Sequence, residues 1–194
     1  MKLFSKSTLV AAMLGLAMSM ASAVEISGVK VDETAKVGGK ELVLAGAGLR
    51  TKTVFKIYVL GIYLTKKETT TAGVLAAQGP KRAHISVLRE LTGEEFGGAF
   101  LVGINKNLDK EEKSKFVNQL LRFGELFETL PPLKKGDTVT ADWIPGSGTH
   151  IYINGKSIIE PLPDPAFFNA ILRIWYGDKP AEVALKKSLL GEEG

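Results

Sequence analysis

The chain has no cysteine in its 194 residues. Disulfide bridges and thiol catalysis are excluded, and cysteine usage does not decide the compartment. Histidine is scarce. His84 and His150 stand alone, with no partner at metal-ligand spacing, so nothing asks for a metal. No basic run stands out. The formal net charge is +4, Lys2 and Lys6 supply two of those charges, and what remains is too small to argue for nucleic acid. Gly46, Gly48 and Arg50 lack the third glycine of a dinucleotide fingerprint, since Thr51 stands in its place, and no cofactor is implied. Gly146-Ser147-Gly148 lacks the G-x-S-x-G spacing of a nucleophile elbow and reads as a hairpin turn. Beyond the N-terminus no apolar stretch reaches transmembrane length, and there are no repeats, linkers or low-complexity segments.

What is present is globular. The chain is 45% hydrophobic and 24% charged, enough apolar material for a core, and its length favours one domain. The N-terminus has its own logic. Lys2 and Lys6 make a short positive region, residues 8–20 an apolar core too short to span a bilayer, and Ala21-Ser22-Ala23 an A-x-A cleavage site. In that order they predict a secretory signal peptide over residues 1–23, cut after Ala23, rather than an anchoring helix. The domain proper is then 24–194. With no cysteine just after the apolar core, a lipoprotein anchor is excluded.

The strongest β pattern runs over residues 44–65. Gly46 and Gly48 interrupt an apolar run, Arg50 follows, and after Thr51-Lys52-Thr53 the β-branched and aromatic run resumes through Leu64. This predicts a strand, a tight turn and a second strand. In a hairpin centred near Val54, Arg50 and Tyr58 lie opposite one another on one face, with Lys56, Leu60, Ile62 and Leu64 beside Tyr58. An arginine and a phenol on an apolar sheet face can hold an anion. On the other reading, Arg50 snorkels at the sheet edge and Tyr58 finds a backbone carbonyl. If Arg50 is buried it needs a partner, and with no ligand that is water or a neighbouring carboxylate.

Around this hairpin, residues 24–37 read as a strand or two and Gly38-Gly39 as a turn. Residues 71–75 read as a short helix capped by Thr71, and 83–91 as a strand carrying Arg89 and Glu90 to opposite faces. Thr92 and Glu95 make a capping box. The helix they open carries Phe96, Phe100, Leu101 and Ile104 at helical spacing. It also carries Gly97, Gly98 and Gly103, each costing about 1 kcal/mol against alanine, which suggests a close neighbour or a ligand. Asp109 and Glu112 repeat the capping signal before an amphipathic stripe from Phe116 to Phe127. Arg122, like Arg173 further on, reads as a solvated helix flank. Strands follow over 138–144, 150–153 and 156–159, with Asn154-Gly155 as a hairpin turn. Asp164-Pro165 opens a helix with a wide apolar face, and Pro180 opens a last one. Strands and helices are grouped, so the predicted class is α+β with an antiparallel sheet.

GAGLR, FKIYVLGIYL, LTGEEF and the tail PLPDPAFFNAILRIWYGDKP, in that order and spacing, resemble the bacterial chalcone isomerase-like proteins. The resemblance implies an open-faced β-sandwich: a large antiparallel sheet, a layer of helices on one face and a ligand cleft between. It also implies the periplasm. In plant chalcone isomerases an arginine begins the site, and Arg50 matches it. The threonine that polarises the substrate ketone falls at Tyr58. A tyrosine falls at Phe96, an asparagine at Gly103 and a late polar residue at Ile174. Flavanone ring closure needs polar groups that Phe96, Gly103 and Ile174 do not offer. The fatty-acid-binding branch of the fold is a better match, since it keeps the arginine with a tyrosine near it, as Arg50 and Tyr58 stand here. The resemblance thus implies a fatty acid or similar apolar carboxylate, bound by Arg50, Tyr58, Phe96, Phe100, Gly103 and Ile174, without chalcone isomerase activity. Two alternatives stand beside it. One is an isomerase or intramolecular lyase acting on another small molecule through Arg50 and Tyr58, with Tyr58 lowered in pKa by Arg50. The other is a structural partner whose cleft is simply core.

Overall fold

The computed structural model describes residues 23–192. Of the expected leader, residues 1–22 lie outside these, and Ala23 is the first residue of a strand. A two-stranded hairpin, β1 (Ala23–Ile26) and β2 (Val29–Asp32), precedes a seven-stranded antiparallel sheet in sequential order. The sheet comprises β3 (Thr34–Val37), β4 (Lys40–Lys52), β5 (Phe55–Leu64), β6 (Lys81–Val87), β7 (Thr138–Ile144), β8 (Gly148–Ile153) and β9 (Lys156–Ser157). Six helices complete the chain: α1 (Thr71–Ala76), α2 (Gly93–Lys106), α3 (Lys110–Lys115), α4 (Val117–Thr129), α5 (Pro165–Tyr176) and α6 (Val183–Leu190). This is the α+β arrangement that the grouping predicts.

Alternation along the strands sorts the two faces. Leu60, Ile62, Leu64, Ala83, Ile85, Val87, Val139 and Ile151 point into one large core shared with α2, α4, α5 and α6. Val59, Tyr63, Leu42 and Val37 point the other way and pack under β2 at Val31. Hence the helical layer covers one face, while the β1–β2 hairpin covers part of the other.

Local chemistry sets most boundaries. Thr92 and Glu95 cap α2 reciprocally, and Asp109 and Glu112 cap α3 in the same way. Asp164 caps α5 with Pro165 at its first turn, and Gly191 ends α6 in the left-handed conformation. Several boundaries differ from expectation. Residues 23–37 make three short strands. Thr70, not Thr71, caps α1. β6 stops at Val87, so Arg89 and Glu90 leave the sheet. The amphipathic stripe divides at Phe116, which is buried against Phe167 at a ring separation of 5.4 Å and lets charged α3 turn away from α4. β9 is two residues long. The last helix begins at Val183, because the Ala181 N–H is drawn to the Ile174 carbonyl at 2.7 Å and holds the bend over residues 178–182 at the end of α5.

Candidate functional site

β4 and β5 pair as the sequence predicts, with Arg50 opposite Tyr58. One detail is different. The next pair is Thr51 with Lys56, so Ile57 is a bulged extra residue. The bulge resets the alternation: Ile57 packs on the core side with Tyr58, and Lys56, expected beside Tyr58, is exposed to solvent instead.

Between these strands, β6, α2 and the end of α5 lies a cavity of about 500 Å³, within the range of small-molecule sites. Arg50, Tyr58, Ile57 and Ile85 line its sheet side, and Phe96, Phe100 and Gly103 its α2 side. Ile174 and Trp175 of α5 close the end. All six residues singled out from the sequence therefore meet in one cavity. Phe96 and Phe100 are fixed there by an aromatic cluster: Phe96 sits edge-on to Phe127 at 5.6 Å, and Phe100 stacks on Phe123 at 4.9 Å. A smaller apolar void of about 30 Å³ lies behind Phe96, Phe100 and Trp175, toward Phe123 and Ile171.

The glycines of α2 divide by role. A Cβ at Gly97 would fall inside the Phe127 side chain, and one at Gly103 would reach Ile174 at 2.8 Å. Those two make room for neighbouring side chains rather than for a ligand. Gly98 meets nothing within 4 Å and opens on the cavity.

Arg50 does not snorkel. Its Nη1 donates to Glu182 Oε2 at 3.0 Å and to the Thr51 carbonyl. The same Glu182 oxygen accepts the Thr51 N–H at 2.8 Å, and its other oxygen accepts the Thr51 hydroxyl. Glu182 is the first-turn flank of α6, yet its carboxylate caps nothing there; it is spent on the end of β4. The neighbouring carboxylate expected for an unliganded arginine is therefore an acid 132 residues away. Both side chains stay one-fifth exposed, so Arg50 is not sealed at a closed end.

Tyr58 does not seek a carbonyl. Its hydroxyl accepts from the Trp175 indole N–H at 2.9 Å, which leaves its own proton free to donate. Burial pushes its pKa up, against the opposing pull of Trp175 and the Arg50 charge; Glu182 adds to the rise. The lowered pKa that an acid–base role would use is not found, and Tyr58 is a neutral donor at physiological pH.

Sequence reasoning missed Glu182, Trp175 as a partner, and the cations around the opening: Lys52, Lys106 and Lys179. Arg89, beyond the end of β6, lies over the Phe55 ring at 5.2 Å. Arg173, taken as a solvated flank, bonds Glu112 and the Asn107 carbonyl, both at 3.1 Å, and ties α5 to α3. Among the described residues no group of three metal-ligating side chains gathers, and no helix is long and apolar enough to cross a membrane.

An antiparallel sheet with a helical layer, and an arginine and tyrosine facing a cavity between them, define the class. The chalcone isomerase-like family matches residues 23–191, and the chain belongs to it. Among solved structures, a fatty-acid binding protein of Arabidopsis thaliana is similar, with a TM-score of 0.69 and 17% identity. The match covers 87% of this chain and 96% of that one, and it shows the shared fold. No curated protein matches the chain.

Proposed function

We propose that this protein binds a fatty acid or similar apolar carboxylate and has no chalcone isomerase activity. The observation that carries the reading is Arg50 and Tyr58 paired on adjacent strands, facing a cavity that Phe96, Phe100, Ile174 and Trp175 wall with apolar surface. A guanidinium forks onto a carboxylate, and a neutral phenol adds a donor. Each methylene buried along the aromatic wall adds about 0.8 kcal/mol, so the tail supplies most of the affinity and Arg50 sets which end enters. The kinship of fold with a plant fatty-acid binding protein supports the same class of ligand. The replacement of polar groups by Phe96, Gly103 and Ile174 supports the absence of ring closure. We further propose that residues 1–23 are a cleaved leader and that the mature protein, beginning at Val24, works in the periplasm. An intact mass that still includes the leader would refute this.

Glu182 refines the energetics. A ligand carboxylate must share or replace an acid already on Arg50. The net gain is then an exchange of partners, below the roughly 1.5–3 kcal/mol of a new charged hydrogen bond. Calorimetric titration with a long-chain acid and the alcohol of equal length tests this. The acid should bind the wild type more tightly. Arg50→Ala should weaken acid binding by about 1 kcal/mol and shrink the acid–alcohol gap, and Tyr58→Phe should weaken it less. Equal binding of acid and alcohol to the wild type would rule out the carboxylate anchor.

A further inference from the structure

The cavity opens through a rim of unusual make-up. The β4–β5 turn, held by Thr53 at φ +57°, carries Val54 82% exposed and Phe55 56% exposed. Val102 on the outer side of α2 and Val183 at the start of α6 are also more than half exposed. Each adjoins the cavity lining, and Phe55 also lies under Arg89, which is part of that lining. Lys52 and Ile57, on either side of the turn, line the cavity, Val102 lines it directly, and Val183 follows the acid that holds Arg50. Among the described residues eight large hydrophobics are exposed, and half of them are here. Between them stand exposed cations that also line the opening: Lys52, Arg89, Lys106 and Lys179. Glu95 is the acid of that lining, and its carboxylate is occupied in the α2 capping box.

We propose that this rim docks on an anionic lipid bilayer, with Val54 and Phe55 inserted at the level of the headgroups and the lysines and Arg89 on lipid phosphates. Apolar tips gain by entering the acyl boundary, and cations within a Debye length gain from the negative surface. A protein partner fits less well. The apolar residues sit on three different elements, the β4–β5 turn, α2 and α6, and a protein seated on all three would close the cavity. A fluid surface takes separate points and leaves the opening facing its own lipids. The docking stands on the rim alone. That the docked cavity then exchanges an acyl ligand with the bilayer rests on the function proposed above.

Sedimentation with extruded vesicles tests it, using protein isolated from cells that make it. One vesicle set is phosphatidylcholine alone, and the other is about one-quarter phosphatidylglycerol. The protein should bind the anionic vesicles about tenfold more strongly than the neutral ones, and high salt should reverse most of that. A Val54→Asp, Phe55→Asp double variant should lose about tenfold in vesicle binding and keep its melting temperature. Lys52→Glu with Lys106→Glu should abolish the anionic preference. Equal binding to both vesicle types, no binding to either, or an unchanged double variant would overturn the docking; no binding to either is also what a protein-docking rim would give. Fatty-acid titration of the double variant without vesicles separates the two readings. Retained affinity with lost sedimentation leaves ligand binding intact and assigns the loss to the rim. Sedimentation without any fatty-acid affinity in wild type would sink the ligand reading and leave the docking.

Discussion

Arg50 and Glu182 set one opposite the other the two demands on this site: a charge that must be satisfied when empty and available when full. The pair is one-fifth exposed on each side and bridged by Thr51, so it is a modest interaction, about 0.5–1 kcal/mol. Glu182→Gln keeps one acceptor oxygen for the Thr51 N–H, turns the other position into a donor that the Thr51 hydroxyl oxygen can accept, and removes the counter-charge from the guanidinium. It should tighten carboxylate binding by about that amount and leave alcohol binding unchanged, as competing titrations would show. No change for the acid would mean that Glu182 is no competitor. Lys81 is a buried charge. Its Nζ donates to the Leu75 carbonyl at 3.1 Å and Asn169 Oδ1 at 3.0 Å, no acid among the described residues pairs with it, and burial lowers its pKa to about 8. Between there and the ordinary value of 10.5 the unfolded chain holds the proton that the folded chain has lost. Stability therefore rises with pH across that window and gains nothing from this group below it. Urea midpoints from pH 7 to 10 should show the rise in wild type and a flatter profile in Lys81→Met.

Among the elements, α2 and α6 are placed by glycines. At Gly46 an added Cβ would meet the Leu189 backbone, and at Gly48 it would press on Leu185 and Ser188. Leu189 backbone cannot yield as a side chain does, so Gly46→Ala must lift α6 from β4. A loss of at least 2 kcal/mol is expected, in the range of overpacked cores, together with a weaker Arg50–Glu182 contact. On α2 the neighbouring glycines should part company. Gly97→Ala collides with Phe127 and should destabilise the fold. Gly98→Ala meets open space and should stabilise it by about 1 kcal/mol through helix propensity. A larger helix-forming residue at Gly98 should keep most of that gain and reduce fatty-acid affinity by filling the cavity. Thermal melts of the pair would decide, and matching losses at both positions would contradict the division of roles.

At the scale of the whole molecule, what the sequence made legible was local. The Arg50–Tyr58 pairing follows from a turn and two alternating strands within a few residues of each other, and the helix caps from signals three residues apart. The α+β class follows from the order of elements. What could not be read was non-local or a matter of a single inserted residue. Nothing around Glu182 marks it as the partner of an arginine 132 positions earlier. The Ile57 bulge has no glycine or proline to announce it, and it moved Lys56 off the cavity face. Gly97 and Gly98 are adjacent and chemically identical, and only packing separates them. The contact of α6 with β4 has a further consequence in time. Strands β4 to β6 can pair as soon as they are made, since their partners are close in sequence, whereas α6 must close a loop over most of the chain. In refolding, α6 should dock in the slowest step, after the sheet has formed. Before it docks, the groove at Gly46 and Gly48 is bare and Arg50 has no counter-charge, so the late intermediate exposes the strip of sheet most open to wrong pairing.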